Sequence, residues 1–385
     1  MSTFKVPDAI EDVRLHPGMY FGGTNSRALC HLVDEMLKNV IHQVHEGGCR
    51  TFSITLLSNQ SMQISDEGQG IPIHLHQNTG KRVLEIIMSP SGGGYDVLTD
   101  TFHRALHRCG LIAVCAVSQD FHIQVKRDGA LWEQQYSKGH KQNELTSVRP
   151  LKANESTGTT LTLTVDSEIF EDSAFDGAWI SERLSHLSYL LGGTTIIFED
   201  QRPGGQKKTF LEADGLVSSL KLLNQDTRAL HDPIVFHDTV LIQPDQRASY
   251  NIALEVAFQF LLESAPSIVS YVNTELSAGG THVEGFIDAL SAVLLKKQNY
   301  TLQRGDWPDL LKHLTAIVSI WHPTPRFESQ SDISLLNIDA RRTVYRSIYD
   351  QLDVFMDEHP ILLQSIINQA LMYRSERQKR NYRMD

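Results

Sequence analysis

The segment from Leu29 to Gly70 constrains this chain more than any other. Leu29, Leu32, Val33, Met36, Leu37, Val40, Ile41 and Val44 recur at helical spacing, with Gly47 and Gly48 as stop signals. Two alternating runs follow, Thr51 to Leu57 and Ser61 to Ser65, separated by Ser58-Asn59-Gln60. They read as an antiparallel hairpin whose second strand ends directly in Asp66-Glu67-Gly68-Gln69-Gly70. Glycines at that spacing let the backbone turn sharply and approach a ligand that Asp66 could hydrogen-bond. On the helix, Glu35 and Asn39 are four apart and share a face away from the apolar stripe. Taken singly, each feature has a bland reading: a solvated helix face, a glycine turn.

The rest of the chain extends the same alternation. Residues 82–88 read as helix, Pro90-Ser91-Gly92-Gly93-Gly94 as a loop, and Leu111 to Val117 as an apolar run that is either helix or strand. Strands are expected at 121–127, 131–137, 159–165 and 194–199, with a helix at 178–191. The result is an α+β layer sandwich, with helices on one face of a mostly antiparallel sheet. The polar stretch Asp200 to Lys208 reads as a linker or hairpin, and a new alternation starts beyond it. Two domains are expected, 1–214 and 215–385. The second should contain a strand at 251–260, a helix at 281–297, a strand at 314–321 and a long helical C-terminus over 334–380. Strand, helix and strand in that order suggest a right-handed βαβ crossover.

Composition bounds the function classes. With 385 residues, 41% of them hydrophobic, the chain can fill two cores. A net charge of −11 argues against a protein that coats nucleic acid over its whole surface, so any DNA contact is local. Cys30, Cys49, Cys109 and Cys115 form no C-x-x-C pair and read as reduced thiols. No secretory leader and no run of 18 apolar residues is found, so a cytoplasmic protein with no membrane segment is expected.

Five motifs in order change the odds: Pro17-Gly18-Met19-Tyr20-Phe21-Gly22, Glu35-x-x-x-Asn39, Asp66-x-Gly68-x-Gly70-Ile71-Pro72, Thr157-Gly158-Thr159 and Gly279-Gly280-Thr281-His282. Together they resemble the B subunits of DNA gyrase and topoisomerase IV over residues 10–375, and Ser270-Tyr271-Val272-Asn273 resembles the same family's transducer domain. The resemblance implies a Bergerat-fold ATPase of the gyrase, Hsp90, histidine kinase and MutL superfamily. Glu35 falls on the general base that activates water toward the γ-phosphate, and Asn39 on the Mg²⁺ ligand. Asp66 falls on the adenine reader, and Thr159 supports that contact. Gly70, Ile71, Pro72 and Ile87 match the pocket wall, and Arg127 an arginine beside the adenine. The implied cofactors are ATP and Mg²⁺. The implied partners are a second copy in a homodimer, DNA, and a gyrase-A-like or other DNA-handling subunit.

The sequence also departs from the family pattern. Where a G-x-H-G-x-G loop wraps the triphosphate, this chain reads Ala105-Leu106-His107-Arg108-Cys109-Gly110, keeping only His107 and the last Gly110. The transducer's Q-T-K loop is Gln330-Ser331-Asp332, so a cation near the γ-phosphate has become an anion. Gln69 replaces an arginine, and the N-terminal arm is shorter than usual. Two readings follow. In one the chain is an ATP-hydrolysing clamp whose closure is passed to a DNA-handling partner. In the other it is a degenerate paralogue that binds nucleotide or a partner with little or no turnover, as a regulatory module. DNA cleavage by this chain alone is not expected, since no tyrosine has the context of a DNA-linking nucleophile. His103 and His107 are not expected to bind metal, His74 and His76 read as surface residues, and the run Arg374, Arg377, Lys379, Arg380 and Arg383 as a solvated helix end.

Overall fold

The computed structural model describes residues 9–45, 47–77, 79–89, 95–96, 101–102, 110–170, 174–244, 249–263, 267–297, 310–328 and 334–381. The chain divides into two compact units, residues 1–213 and 214–385.

The first unit runs α1 (Ala9–Leu15), α2 (Pro17–Phe21), α3 (Ser26–His45), β1 (Thr51–Leu56), β2 (Ser61–Asp66), α4 (Val83–Ile87), β3 (Tyr95–Asp96), β4 (Thr101–Phe102), α5 (Gly110–Ala116), β5 (Ser118–Arg127), β6 (Ala130–Ser137), β7 (His140–Lys141), β8 (Thr146–Pro150), β9 (Gly158–Val165), α6 (Gly177–Leu190), β10 (Thr195–Asp200) and β11 (Lys207–Phe210). Its main sheet is ordered β11-β10-β1-β2-β9-β5-β6-β7, with β8 paired to β6. Only the β1–β10 pairing among these is parallel. Period-two patterning decides the layering. Phe52, Ile54 and Leu56 on β1 and Met62 and Ile64 on β2 are buried, and helices pack along the sheet, α3 on β2, α5 on β5 and α6 on β10. The alternate residues form a hydroxyl and amide ladder on the opposite face: Ser61–Thr164 at 2.8 Å, Gln63 to Thr162 at 2.9 Å and Ser65–Thr160 at 2.8 Å.

Helix α3 forms because its apolar stripe, Leu29, Leu32, Val33, Met36, Leu37, Val40 and Ile41, is removed from water. Each such side chain stabilises the fold by about 1.5–3 kcal/mol on burial. The Arg183 guanidinium donates to Asp34 at 2.8 Å and ties α6 to α3. The run at 111–117, open between helix and strand in sequence, is helical over α5, and every residue from Leu111 to Val117 is buried. The polar stretch beginning at Asp200 is a hairpin joining β10 to β11. His74 is exposed as expected, but His76 is buried. Its Nδ1 lies 3.1 Å from Thr79 Oγ1, in a turn whose polar sequence gives no sign of burial.

The second unit contains α7 (Leu216–Leu223), β12 (Ile234–Ile242), β13 (Tyr250–Phe260), β14 (Ser267–Val272), β15 (Glu275–Ser277), α8 (Thr281–Lys297), β16 (Leu314–Trp321), α9 (Ile338–Glu358) and α10 (Pro360–Asn381). Its sheet is ordered β12-β13-β16-β14-β15. The strand at 251–260 pairs antiparallel with β16, so it is not the first strand of the crossover. The parallel partner of β16 is β14, and α8 lies in the connection between them. The long C-terminal helix is also two helices: α9 ends at Glu358, and α10 starts on Pro360, whose ring disfavours helical backbone at His359. Phe258, Phe260 and Phe286 centre the core, with Phe258 and Phe286 ring centroids 5.6 Å apart.

Candidate nucleotide site

The turn that leaves β2 is held by side chains from three other places in the first unit. Asp66 is buried, and its Oδ1 accepts the Gly68 amide at 2.8 Å. The Thr159 backbone amide also acts on the carboxylate electrostatically. Burial pushes the Asp66 carboxyl above the usual carboxylate range, while these two amides and the Lys126 charge act in the opposite direction. Three side chains from β5 and the β9 entry then pin the turn from outside. Thr159 Oγ1 accepts the Ile71 amide at 3.0 Å, Thr157 Oγ1 donates to the Gly68 carbonyl at 2.7 Å, and Arg127 Nη1 donates to the Gly70 carbonyl at 2.6 Å.

Two glycines make this possible. Gly70 has φ +76°, a conformation that only glycine adopts readily. A Cβ on Gly158 would stand 2.0 Å from the Asp66 carbonyl oxygen, so β9 comes against the turn only because that atom is missing.

Helix α3 brings its polar face to the same place. A Cβ on Gly68 would lie 3.2 Å from Gln43 Oε1, and Gln43 is one helical turn beyond Asn39, itself one turn beyond Glu35. Asn39 is half-buried, and the Glu35 side chain is 11% exposed. Glu35 is not alone: the Lys38 ammonium is ion-paired to its Oε1 across one turn of the helix. The E-x-x-x-N reading missed this residue, although an i,i+3 charge pair is visible in the sequence.

Pro72 is buried and Ile71 and Ile87 are half-buried, so the apolar residues following the turn and the end of α4 are in the same unit with apolar surface left over. Arg82 holds that segment: its Nη1 donates to the Ile73 carbonyl at 2.8 Å, and its guanidinium lies 5.5 Å from the Trp132 ring centroid. Gly110 opens α5 with φ +63°. His107 and Gln330 lie outside the described residues, as do Ala105, Arg108 and Asp332. An open depression of about 520 Å³ bordered by Arg14, His16, Met19 and Glu168 shares no residue with this site.

Among the described residues no three His, Cys, Asp or Glu side chains gather to hold a metal. A divalent cation here would depend on the Asn39 amide oxygen and on oxygens brought by a ligand, which suits Mg²⁺, a cation that keeps several waters.

The structure thus sets a buried carboxylate on a glycine turn with the Gln43 end of α3 against it. Residues 215–384 match the family model for DNA gyrase B. The gyrase B protein of Haloferax volcanii is 34% identical over 380 residues, which are 95% of this chain and 58% of the relative. That of Thermotoga maritima is 31% identical over 98% of this chain and 60% of the relative. Over nearly its whole length the chain is similar to DNA gyrase B. It spans about three-fifths of the length of these relatives. Among solved structures, the 43K ATPase domain of Thermus thermophilus gyrase B, in complex with an aminocoumarin, superposes with a TM-score of 0.78 at 27% identity, covering 98% of each chain. This chain is thus a gyrase-B-like module with the fold of that ATPase domain. Among the described residues no helix is long and apolar enough to cross a membrane.

Proposed function

We propose that the chain is a cytoplasmic, ATP-operated clamp module of the gyrase B type, hydrolysing ATP with Mg²⁺. The observation that carries this reading is the Asp66 turn, fixed by Thr157, Thr159 and Arg127 far more firmly than an ordinary surface loop requires. In this reading the Asp66 carboxylate accepts from the adenine amine, and Ile71, Pro72 and Ile87 take the base's apolar faces. Glu35 orients and deprotonates the attacking water, and Asn39 ligates Mg²⁺. When bound, the cation would supply positive charge to offset that of the phosphates. His107, Gly110 and Gln330 would complete the phosphate end, and the partners in closure would be a second copy of the chain, DNA and a gyrase-A-like protein.

A second reading is favoured by two features. Lys38 occupies one oxygen of Glu35, and the sequence offers Asp332 where the family carries a cation. In that reading the module binds nucleotide, or a partner, with little or no turnover and acts as a regulator.

Mg²⁺-dependent ATP turnover at saturating nucleotide, compared with Glu35→Ala and with binding measured for both, separates the two. Turnover abolished by the substitution supports the ATPase. Binding in both with equal background turnover leaves the regulatory module, and no binding in either refutes the nucleotide site.

A further inference from the structure

The Glu35–Lys38 ion pair is at odds with the work assigned to Glu35. A general base must present an oxygen to the water it activates, yet the Lys38 ammonium sits on Glu35 Oε1. Helical geometry explains how it gets there. Side chains on a helix lean toward its N-terminus, so Lys38 reaches back over Glu35, while Asn39 stands on the other flank of the same face. The Lys38 side chain is 42% exposed although Glu35 is only 11% exposed, so the ammonium is the open end of the pair and can swing away from it through solvent. A ligand with more negative charge than one carboxylate can therefore take the ammonium away. Helix α3 has only two lysine or arginine residues, Arg27 in its first turn and Lys38 beside Glu35.

We propose that Lys38 is a mobile phosphate-binding cation of this site: it rests on Glu35 until a nucleoside triphosphate arrives, then moves to the terminal phosphate and frees Glu35 Oε1 for the attacking water. The inference rests on the nucleotide reading above and adds a selectivity to it. A diphosphate ends one phosphate short and leaves the resting pair in place, whereas a triphosphate gains a charge-assisted contact. The same residue would restrain Glu35 in the empty site and favour the triphosphate in the filled one.

The test compares binding of ADP and of the non-hydrolysable adenosine 5′-(β,γ-imido)triphosphate, both with Mg²⁺, to the full chain by calorimetry. Lys38→Met should weaken the triphosphate analogue about tenfold while changing ADP less than about twofold, the scale expected for one lost hydrogen bond to a charged group. Lys38→Arg should retain most of the wild-type preference. Lys38→Gln should reproduce the Lys38→Met result, a check that lost structure is not being read as lost selectivity. A triphosphate-to-diphosphate affinity ratio that is the same in Lys38→Met as in wild type overturns the role of Lys38 and leaves the nucleotide site intact. Failure of the wild-type chain to bind either nucleotide overturns both.

Discussion

Thr159 Oγ1 accepts the Ile71 amide at 3.0 Å, while Thr157 Oγ1 donates to the Gly68 carbonyl at 2.7 Å, so the two threonines flanking Gly158 hold the turn at both ends. Thr159→Val keeps the shape of the side chain and removes the acceptor, leaving the Ile71 amide without its partner. A loss of about 1–3 kcal/mol is expected from that unpaired amide, seen as a lower urea midpoint. ATP affinity should fall with it, because the residues held are those proposed to line the base pocket. Thr159→Ser restores the oxygen and should recover both. Equal behaviour of the two variants would show that the hydroxyl does not hold the turn.

Gly158 and Gly193 both have positive φ, +147° and +77°, but only Gly158 is hemmed in. A Cβ there would fall 2.0 Å from the Asp66 carbonyl oxygen, while one on Gly193 meets nothing within 4 Å. Gly193→Ala should therefore cost about 1 kcal/mol, the conformational penalty alone. Gly158→Ala must also separate two backbones, and a loss of about 3 kcal/mol or more is expected. Thermal unfolding of the two variants side by side checks this, and similar midpoints would contradict the close approach of β9 to the turn.

Which parts of this structure were legible in the sequence follows from the range of the interactions that set them. Helix α3 and the β1–β2 hairpin were readable because one apolar period dominates each, 3.6 then 2, with glycines where the pattern stops. Glu35, Asn39 and Asp66 could be singled out because their spacing is local and matches a family pattern. Strand β14 was missed: Ser267 to Val272 is short, and its place beside β16 is decided by the sheet, not by its own residues. The break between α9 and α10 was signalled by Pro360, but the apolar pattern continuing past it read as one helix. His76 carried no local sign of burial. Arg127 could be placed near the base pocket by resemblance, yet its bond to the Gly70 carbonyl depends on β5, β9 and β2 lying side by side.

Asp66 sets stability against function. Its carboxyl is raised above the ordinary range, chiefly by burial, so the folded chain holds that proton more tightly than the unfolded chain does. A group of this kind favours folding at pH values below its unfolded pKa, and that contribution is lost as pH rises through the folded value. At neutral pH the buried anion is thus a burden. Asp66→Asn should leave the thermal midpoint at neutral pH unchanged or higher, since an amide oxygen can still accept from Gly68. Adenine nucleotide affinity should drop by about a hundredfold, because an amide NH₂ would face the adenine amine and leave a buried donor unpaired. A fall in both stability and affinity would show that the carboxylate is structural first.

His282 makes the opposite case in the second unit. The residue is fully buried in the first turn of α8, and neither ring nitrogen has a hydrogen-bond partner among the described residues. Burial lowers its pKa from 6.5 to about 4, so the ring is neutral in the folded chain. Protons then bind the unfolded state more readily, and stability present above pH 6.5 is lost as pH falls toward 4. The loss amounts to about 3 kcal/mol by the bottom of that window. His282→Phe replaces the imidazole with a ring that has nothing to desolvate or protonate. At neutral pH it should be neutral or stabilising by about 1–3 kcal/mol, the penalty for unsatisfied buried polar atoms. The decisive measurement is chemical denaturation from about pH 7.5 down to about pH 4, the span over which the imidazole titrates: the wild-type chain should lose stability more steeply than the variant. Parallel curves would mean that the imidazole has partners that satisfy it, and that its place after Gly279-Gly280-Thr281 serves the fold through hydrogen bonding.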